Sequence, residues 1–297
     1  MASTTIPFIY NNHARAFISF YISKTENNVL HKLKSFAVDK ILVFHMSILM
    51  LSSEPLKTMF PGGIPRNSFI IIAGKSGSGK SVLLAKIVGS ILQLEEPVLY
   101  LALDDDPKTV ALQLESLKIN VIEYVKKGMF FIVDGYSERI RDRDFKSHIS
   151  VIAKVNPQNI EHVIETLLGI ANDMGLESKG LIAIDSLNEF LSFYKVMDLA
   201  EHIKVIRANF SKARNIITVA TLHTSTPQAR ELLANIEHNV DGVIIAGKVW
   251  YTTQQKVRDV LWRAMVKKLK MTRHNLDWVY YTFSEDGDIR VVRQLQM

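Results

Sequence analysis

Between Asn67 and Ala246 the chain alternates two hydrophobic periods. Short runs rich in β-branched and other apolar residues at Ser68–Ala73, Val98–Leu103, Met129–Val133, Leu181–Ile184, Ile216–Leu222 and Val243–Ala246 each predict a strand. Between them apolar residues recur at three- and four-residue steps. In Ser81–Leu94, for example, Leu84, Ile87, Val88, Ile91 and Leu92 fall on one face of a helix. Strands alternating with helices predict crossover units of a mainly parallel sheet flanked by helices, an α/β fold.

After Ala246 the helical period disappears. Val260–Lys270, Trp278–Phe283 and Ile289–Val292 read as strands, the last two joined by the turn residues Ser284-Glu285-Asp286-Gly287-Asp288. This predicts an antiparallel C-terminal strand extension of the parallel sheet. Residues 1–45 are rich in Asn, Ser and Thr and show only one candidate helix, near Val29–Val38. They are expected to form an extension, with the main domain over residues 46–297. The run Ile41–Leu51, broken by His45, spans about eleven residues where a bilayer helix needs roughly twenty. It reads as core or interface.

Composition narrows the class. With 297 residues and 47% hydrophobic content the chain can bury a full core. Its 22% of charged residues excludes a collagen-like or disordered class. The absence of cysteine excludes disulfides and thiolate metal sites. No cationic start precedes an apolar block, so a secretory signal is not expected, and the setting is expected to be cytoplasmic, away from membranes. The net charge of +6 is uneven: Lys248–Arg273 holds eight basic residues against Asp259 alone, a surface for phosphate-rich partners.

Gly74-Lys75-Ser76-Gly77-Ser78-Gly79-Lys80-Ser81 matches G-x-x-x-x-G-K-[ST], preceded by a predicted strand and followed by a predicted helix. The glycines let backbone N–H groups turn inward onto a phosphate, and the helix adds the positive end of its dipole. Lys80 is expected to reach the β- and γ-phosphates of ATP, and the Ser81 hydroxyl to bind Mg2+. A second metal-shell group is needed at a neighbouring strand end. Asp185, closing the apolar run Leu181–Ile184, is that candidate, although a strand-end Asp seen alone also suits a helix cap.

Together, Gly62-Gly63-Ile64-Pro65-Arg66, the phosphate loop and Ile184-Asp185-Ser186-Leu187 resemble the RecA-type ATPases of the KaiC-like branch over about residues 55–295. Asp286-Gly287-Asp288-Ile289 resembles that branch's closing strand. The resemblance implies a RecA-like P-loop fold and a homo-oligomer with nucleotide at its subunit interfaces. It also implies a pair of glutamates after the second strand that activates water. Here Asp104 and Asp105 stand at that pair, one methylene shorter, followed by Asp106-Pro107, which reads as a helix cap and first helical residue. Lys268-Leu269-Lys270-Met271-Thr272-Arg273-His274 resembles the segment that reaches a neighbour's γ-phosphate. Lys270 replaces an Arg there and loses its bidentate fork, and a solvated basic strand is the plainer reading. Thr218–His223 resembles the strand that senses the γ-phosphate. His223 would then couple nucleotide state to Thr224–Ala234, the alternative being a structural histidine. Trp250, Trp262 and Trp278 are read as packing residues.

Two functions follow from the resemblance. The first is a magnesium-dependent ATPase acting as an oligomer in regulation or signalling, with a protein partner. The second is a nucleotide-binding switch with little hydrolysis, which Asp104, Asp105 and Lys270 favour. A DNA-recombination accessory ATPase has only the basic stretch near Lys268 in support, since no aromatic stacking platform for nucleic acid is evident.

Overall fold

The computed structural model describes residues 48–141, 147–252, 258–284 and 288–292. The expected helix near Val29–Val38, the first residues of the Ile41–Leu51 run and Asp286-Gly287 lie outside them. Within the described part of that run Leu49 and Leu51 are core and Ile48 and Met50 face outward. Ile48–Leu49 (β1) pairs antiparallel with Ile64–Pro65 (β2), around the short helix Glu54–Met59 (α1). The chain continues through Phe69–Gly74 (β3), Lys80–Gln93 (α2), Val98–Ala102 (β4), Pro107–Ser116 (α3), Val121–Lys126 (α4), Phe130–Asp134 (β5) and Val151–Lys154 (β6). It then forms Ile160–Asp173 (α5), Leu181–Asp185 (β7), Val196–Ile206 (α6), Ile217–His223 (β8), Pro227–Ile236 (α7) and Gly242–Thr252 (β9). Arg258–Leu269 (β10), Val279–Phe283 (β11) and Ile289–Val291 (β12) complete the order.

Among the described residues one ten-stranded sheet runs β12-β11-β10-β9-β3-β8-β7-β4-β5-β6. Its strands from β9 to β6 are parallel, and β10, β11 and β12 add to its β9 edge antiparallel. The expected α/β fold, with a mainly parallel sheet and an antiparallel extension, is therefore the observed one. β3 is buried at every residue, and its side chains alternate between two cores. Ile70 and Ile72 pack with Leu84, Ile87, Val88 and Ile91 of α2, whereas Phe69 and Ile71 pack with residues of α5, α6 and α7. Fully burying such an aliphatic side chain contributes about 1.5–3 kcal/mol, so each face is a substantial source of stability.

The departures from expectation have physical causes. β6 was not foreseen: it is a four-residue edge strand with only alternate residues half-buried, and its apolar run, Val151-Ile152-Ala153, is only three residues long before Lys154. β9 extends six residues beyond Ala246 because it gains a long antiparallel partner in β10. Trp262 meets Phe283 edge to face at 4.7 Å and Trp278 lies under the Arg263 guanidinium at 4.2 Å, as packing residues would. Trp250 is the correction: 65% exposed, it lies beyond the part of β9 that helices cover.

Two polar knots hold the sheet at its amino edge. Asp241, fully buried before β9, accepts hydrogen bonds from the Phe69 amide, from Arg207 through two nitrogens and from Lys212. At the other knot, the Gly62 carbonyl accepts from the Thr272 hydroxyl at 2.8 Å and its amide donates to the Arg273 carbonyl. The adjacent Gly63 has φ +72° and a Cβ there would lie 2.6 Å from the Leu49 carbonyl, so glycine is required.

Candidate nucleotide site

The phosphate loop joins β3 to α2 at the carboxyl edge of the parallel strands, where ligands of open α/β sheets bind. Gly77 and Gly79 take φ values of +71° and +86°, conformations that aim successive amides inward. No side chain caps α2, so its first N–H groups remain for an anion. Lys80 is buried and its ammonium donates to the Lys75 carbonyl at 3.0 Å, folded back across the loop. Burial pushes its pKa down, against the opposing pull of Asp185 and Asp104. Ser81 follows on the first turn, half-buried, and the Ser78 hydroxyl is buried without a hydrogen-bond partner. Lys75 and Ser76 are exposed, and the Ser76 amide donates to the Ser225 hydroxyl.

Asp185 ends β7, two strands from β3, and is 7% exposed. Tyr100 donates to one of its oxygens at 2.8 Å and Thr221 donates to the other. Burial raises its pKa, with those two hydrogen bonds opposing and the charge of Asp104 adding to the rise. Asp104 and Asp105, just past the end of β4, diverge. Asp104 turns inward and pairs with His223 Nε2 at 3.1 Å, while Asp105 is exposed. Burial opposes the charge of Asp104, but hydrogen bonds with His223 and Ser186 outweigh it and hold the carboxyl below its ordinary range. Asp105 is pushed up, by burial first and then by Asp185, Asp104 and Asp106. Asp106 accepts from the Lys108 and Thr109 amides with Pro107 at the first helical turn, so it caps α3.

His223 ends β8 opposite Gly74, which brings it to the loop. Its backbone is clamped by Asn188, which accepts from the His223 amide at 2.6 Å and donates to the His223 carbonyl at 2.9 Å. Sequence reasoning passed over Asn188, Tyr100 and Thr221. The available signal was polarity within otherwise apolar strands for Tyr100 and Thr221, and in the turn just after β7 for Asn188. Lys268 and Lys270 lie elsewhere: β10 runs against β9, and Lys268 stands opposite Val243 near the start of β9, at the amino edge of the sheet. The Lys268 ammonium donates to the carbonyls of Glu237 at 2.6 Å, Val240 at 2.9 Å and His238 at 3.4 Å. Burial, and then Lys270, pushes its pKa down. The structure thus brings Lys80, Ser81, Asp185, Asp104 and His223 to one edge and leaves Lys268 and Lys270 at the other.

A strand, a glycine-rich phosphate loop, a helix and a buried strand-end carboxylate, set in this strand order, define a RecA-like P-loop nucleotide-binding fold. The sequence model described as "ATPase: KaiC" matches residues 51–296, and the chain belongs to that family of ATPases. It is similar to a UPF0273 protein of Aeropyrum pernix, 23% identical over 213 residues covering 72% of this chain and 83% of the relative. It is also similar to one of Sulfurisphaera tokodaii, 25% identical over 221 residues, covering 73% and 74%. A KaiC-like protein of Pyrococcus horikoshii shares the fold, with a TM-score of 0.60 at 14% identity over 82% of this chain and 99% of that one. No helix among the described residues is long and apolar enough to cross a membrane.

Proposed function

We propose that the chain is a magnesium-dependent ATPase that works as a cytoplasmic homo-oligomer in regulation or signalling, with nucleotide held between subunits. The observation that carries the reading is the placement of Lys80, Ser81 and Asp185 around an uncapped helix start with inward-turned glycines. The donor set fits magnesium, being a hydroxyl and a carboxylate, both hard oxygen ligands. Ser81 and Asp185 would hold the ion, which when bound neutralises charge on the β- and γ-phosphates. Lys80 would release the Lys75 carbonyl for phosphate oxygens, an exchange of one acceptor for a charged one. Asp104 is the better-placed water-positioning group of the acidic pair because it faces inward. In this reading residues 46–297 form the ATPase domain and residues 1–45 an extension.

A nucleotide-binding switch with little hydrolysis is the second reading, favoured by one contact. A carboxylate engaged by His223 is a poorer base for water than a free one. Steady-state phosphate release separates the two. An ATPase releases phosphate with magnesium and loses that activity in Lys80→Ala, while a switch binds ATP yet stays at the Lys80→Ala level. Absence of ATP binding by the unaltered chain would refute both.

A further inference from the structure

β9 runs past the covered part of the sheet, and its alternation places Lys248 and Trp250 on the same face as Ile244 and Ala246, the face that α2 packs against. Lys248 is the cross-strand partner of Trp262, and Trp262 the partner of Tyr281. This row lies against the phosphate loop. A Cβ built on Gly77 would be 3.5 Å from the Lys248 ammonium, and one on Gly79 would be 2.9 Å from Trp262 Cδ1 and 3.0 Å from the Tyr281 hydroxyl. That hydroxyl is fully buried, faces the loop and has no hydrogen-bond partner. Lys248 has no acceptor among the described residues; its ammonium lies 6.0 Å from the centroid of the Trp250 ring. Trp250 in turn presents an indole that is 65% exposed.

An ammonium without an acceptor beside inward-turned amides calls for a phosphate, and a bare indole next to it calls for a planar ring. One ligand class supplies both. We infer that Lys248 and Trp250 bind the nucleotide within their own chain, Lys248 neutralising phosphate charge in the loop and Trp250 stacking on the base. Trp262 and Tyr281 form the wall that fixes the row against Gly79. The inference rests on the phosphate-loop reading above and adds to it a charge supplied in cis. Stacking on an indole accepts any base, so this element sets affinity for nucleotides as a class and not the choice of base.

Titration calorimetry of the full chain with ATP and with inorganic tripolyphosphate tests it, because only ATP carries a base. Lys248→Ala is expected to weaken both ligands about ten-fold, with Lys248→Arg restoring most of the loss. Trp250→Ala is expected to weaken ATP about ten-fold while tripolyphosphate stays within about two-fold, and Trp250→Phe to keep most of the ATP affinity. Lys248→Gln and Trp250→Gln replace any alanine variant whose melting curve is lowered. If Lys80→Ala abolishes binding while the Lys248 and Trp250 variants bind ATP like the unaltered chain, the cis element is wrong and the phosphate loop stands. If Trp250→Ala weakens tripolyphosphate as much as ATP, the stacking is overturned. If the unaltered chain binds neither ligand, the phosphate-loop reading fails and this inference with it.

Discussion

Replacing Asp241 with Asn tests how the phosphate-loop strand is anchored. Each carboxylate oxygen of Asp241 serves two donors: one takes Arg207 at 2.8 Å and Lys212 at 2.9 Å, the other takes Arg207 and the Phe69 amide at 3.0 Å each. An amide nitrogen in either position therefore leaves two donors facing a donor. Breaking a buried pair from one side costs about 3–5 kcal/mol. The side chains of Arg207 and Lys212 are 26% and 30% exposed, so water recovers part of this and about 2–4 kcal/mol remains. A domain of this size loses about 2–4 °C per kcal/mol, so melting should fall by about 4–16 °C. The pH dependence has a definite sign. Burial would raise the Asp241 pKa, but Arg207, the Phe69 amide and Lys212 outweigh it and hold it below the ordinary range. A depressed folded pKa gives stability that is complete above the unfolded value of about 3.9 and is lost as pH falls through the folded value. Urea unfolding followed by circular dichroism at pH 7 and down to pH 3 should show the gap between the two proteins narrowing with acid. A gap under about 1 kcal/mol at pH 7, or one that does not change with pH, refutes the anchoring role.

Gly79→Ala should lose at least about ten-fold in ATP affinity and about 1–2 kcal/mol of stability, because φ is +86° and the new methyl meets Trp262 and Tyr281; calorimetry and melting check both. A chain beginning at Met46 should melt and bind ATP like the full chain. One beginning at Ser53 should lose about 3–5 kcal/mol, since it discards Leu49 and Leu51, each 3% exposed. Mixing Lys80→Ala protein with Lys268→Ala/Lys270→Ala protein should restore part of the phosphate release if those lysines serve a neighbour. Mixed oligomers that stay inactive would show that they do not.

What the sequence disclosed was what local pattern encodes. Glycines at Gly77 and Gly79, a run as apolar as Phe69–Ala73 and the Asp106-Pro107 cap are each specified within a few residues, and the structure keeps them. Long-range polar pairing was not legible. Asp104 meets His223 across 119 positions of sequence and Asp241 meets Phe69 across 172, and no periodicity links such partners. The parallel order does: β4 and β8 both flank β7, so residues at their carboxyl ends converge beside Asp185. Trp250 was misread for the same kind of reason. Its residue type predicts burial, but burial depends on which helices cover the end of β9, and that is a property of the whole sheet.

On the reading proposed above, the two groups of lysines would separate binding from turnover. Lys268 closes the turn that follows α7, donating to the carbonyls of the C-cap residue Glu237 and of Val240, and withdrawing it toward another molecule would leave those carbonyls without that donor. Lys270 is at the same amino edge, away from the phosphate loop of its own chain. Lys248 needs neither rearrangement nor neighbour, because its ammonium already lies beside Gly77. On this reading ground-state affinity is local to each chain. Any cation beyond Lys80, Lys248 and the bound ion that meets charge growing on the γ-phosphate during hydrolysis would then be drawn from elsewhere, while Asp104 would have to leave His223 to reach water. Both requirements raise the barrier without weakening binding, and both are met only by a change in assembly or loop conformation. ATP bound tightly and hydrolysed only on assembly is what a chain with a complete phosphate loop, a committed Asp104 and a committed Lys268 would be expected to do.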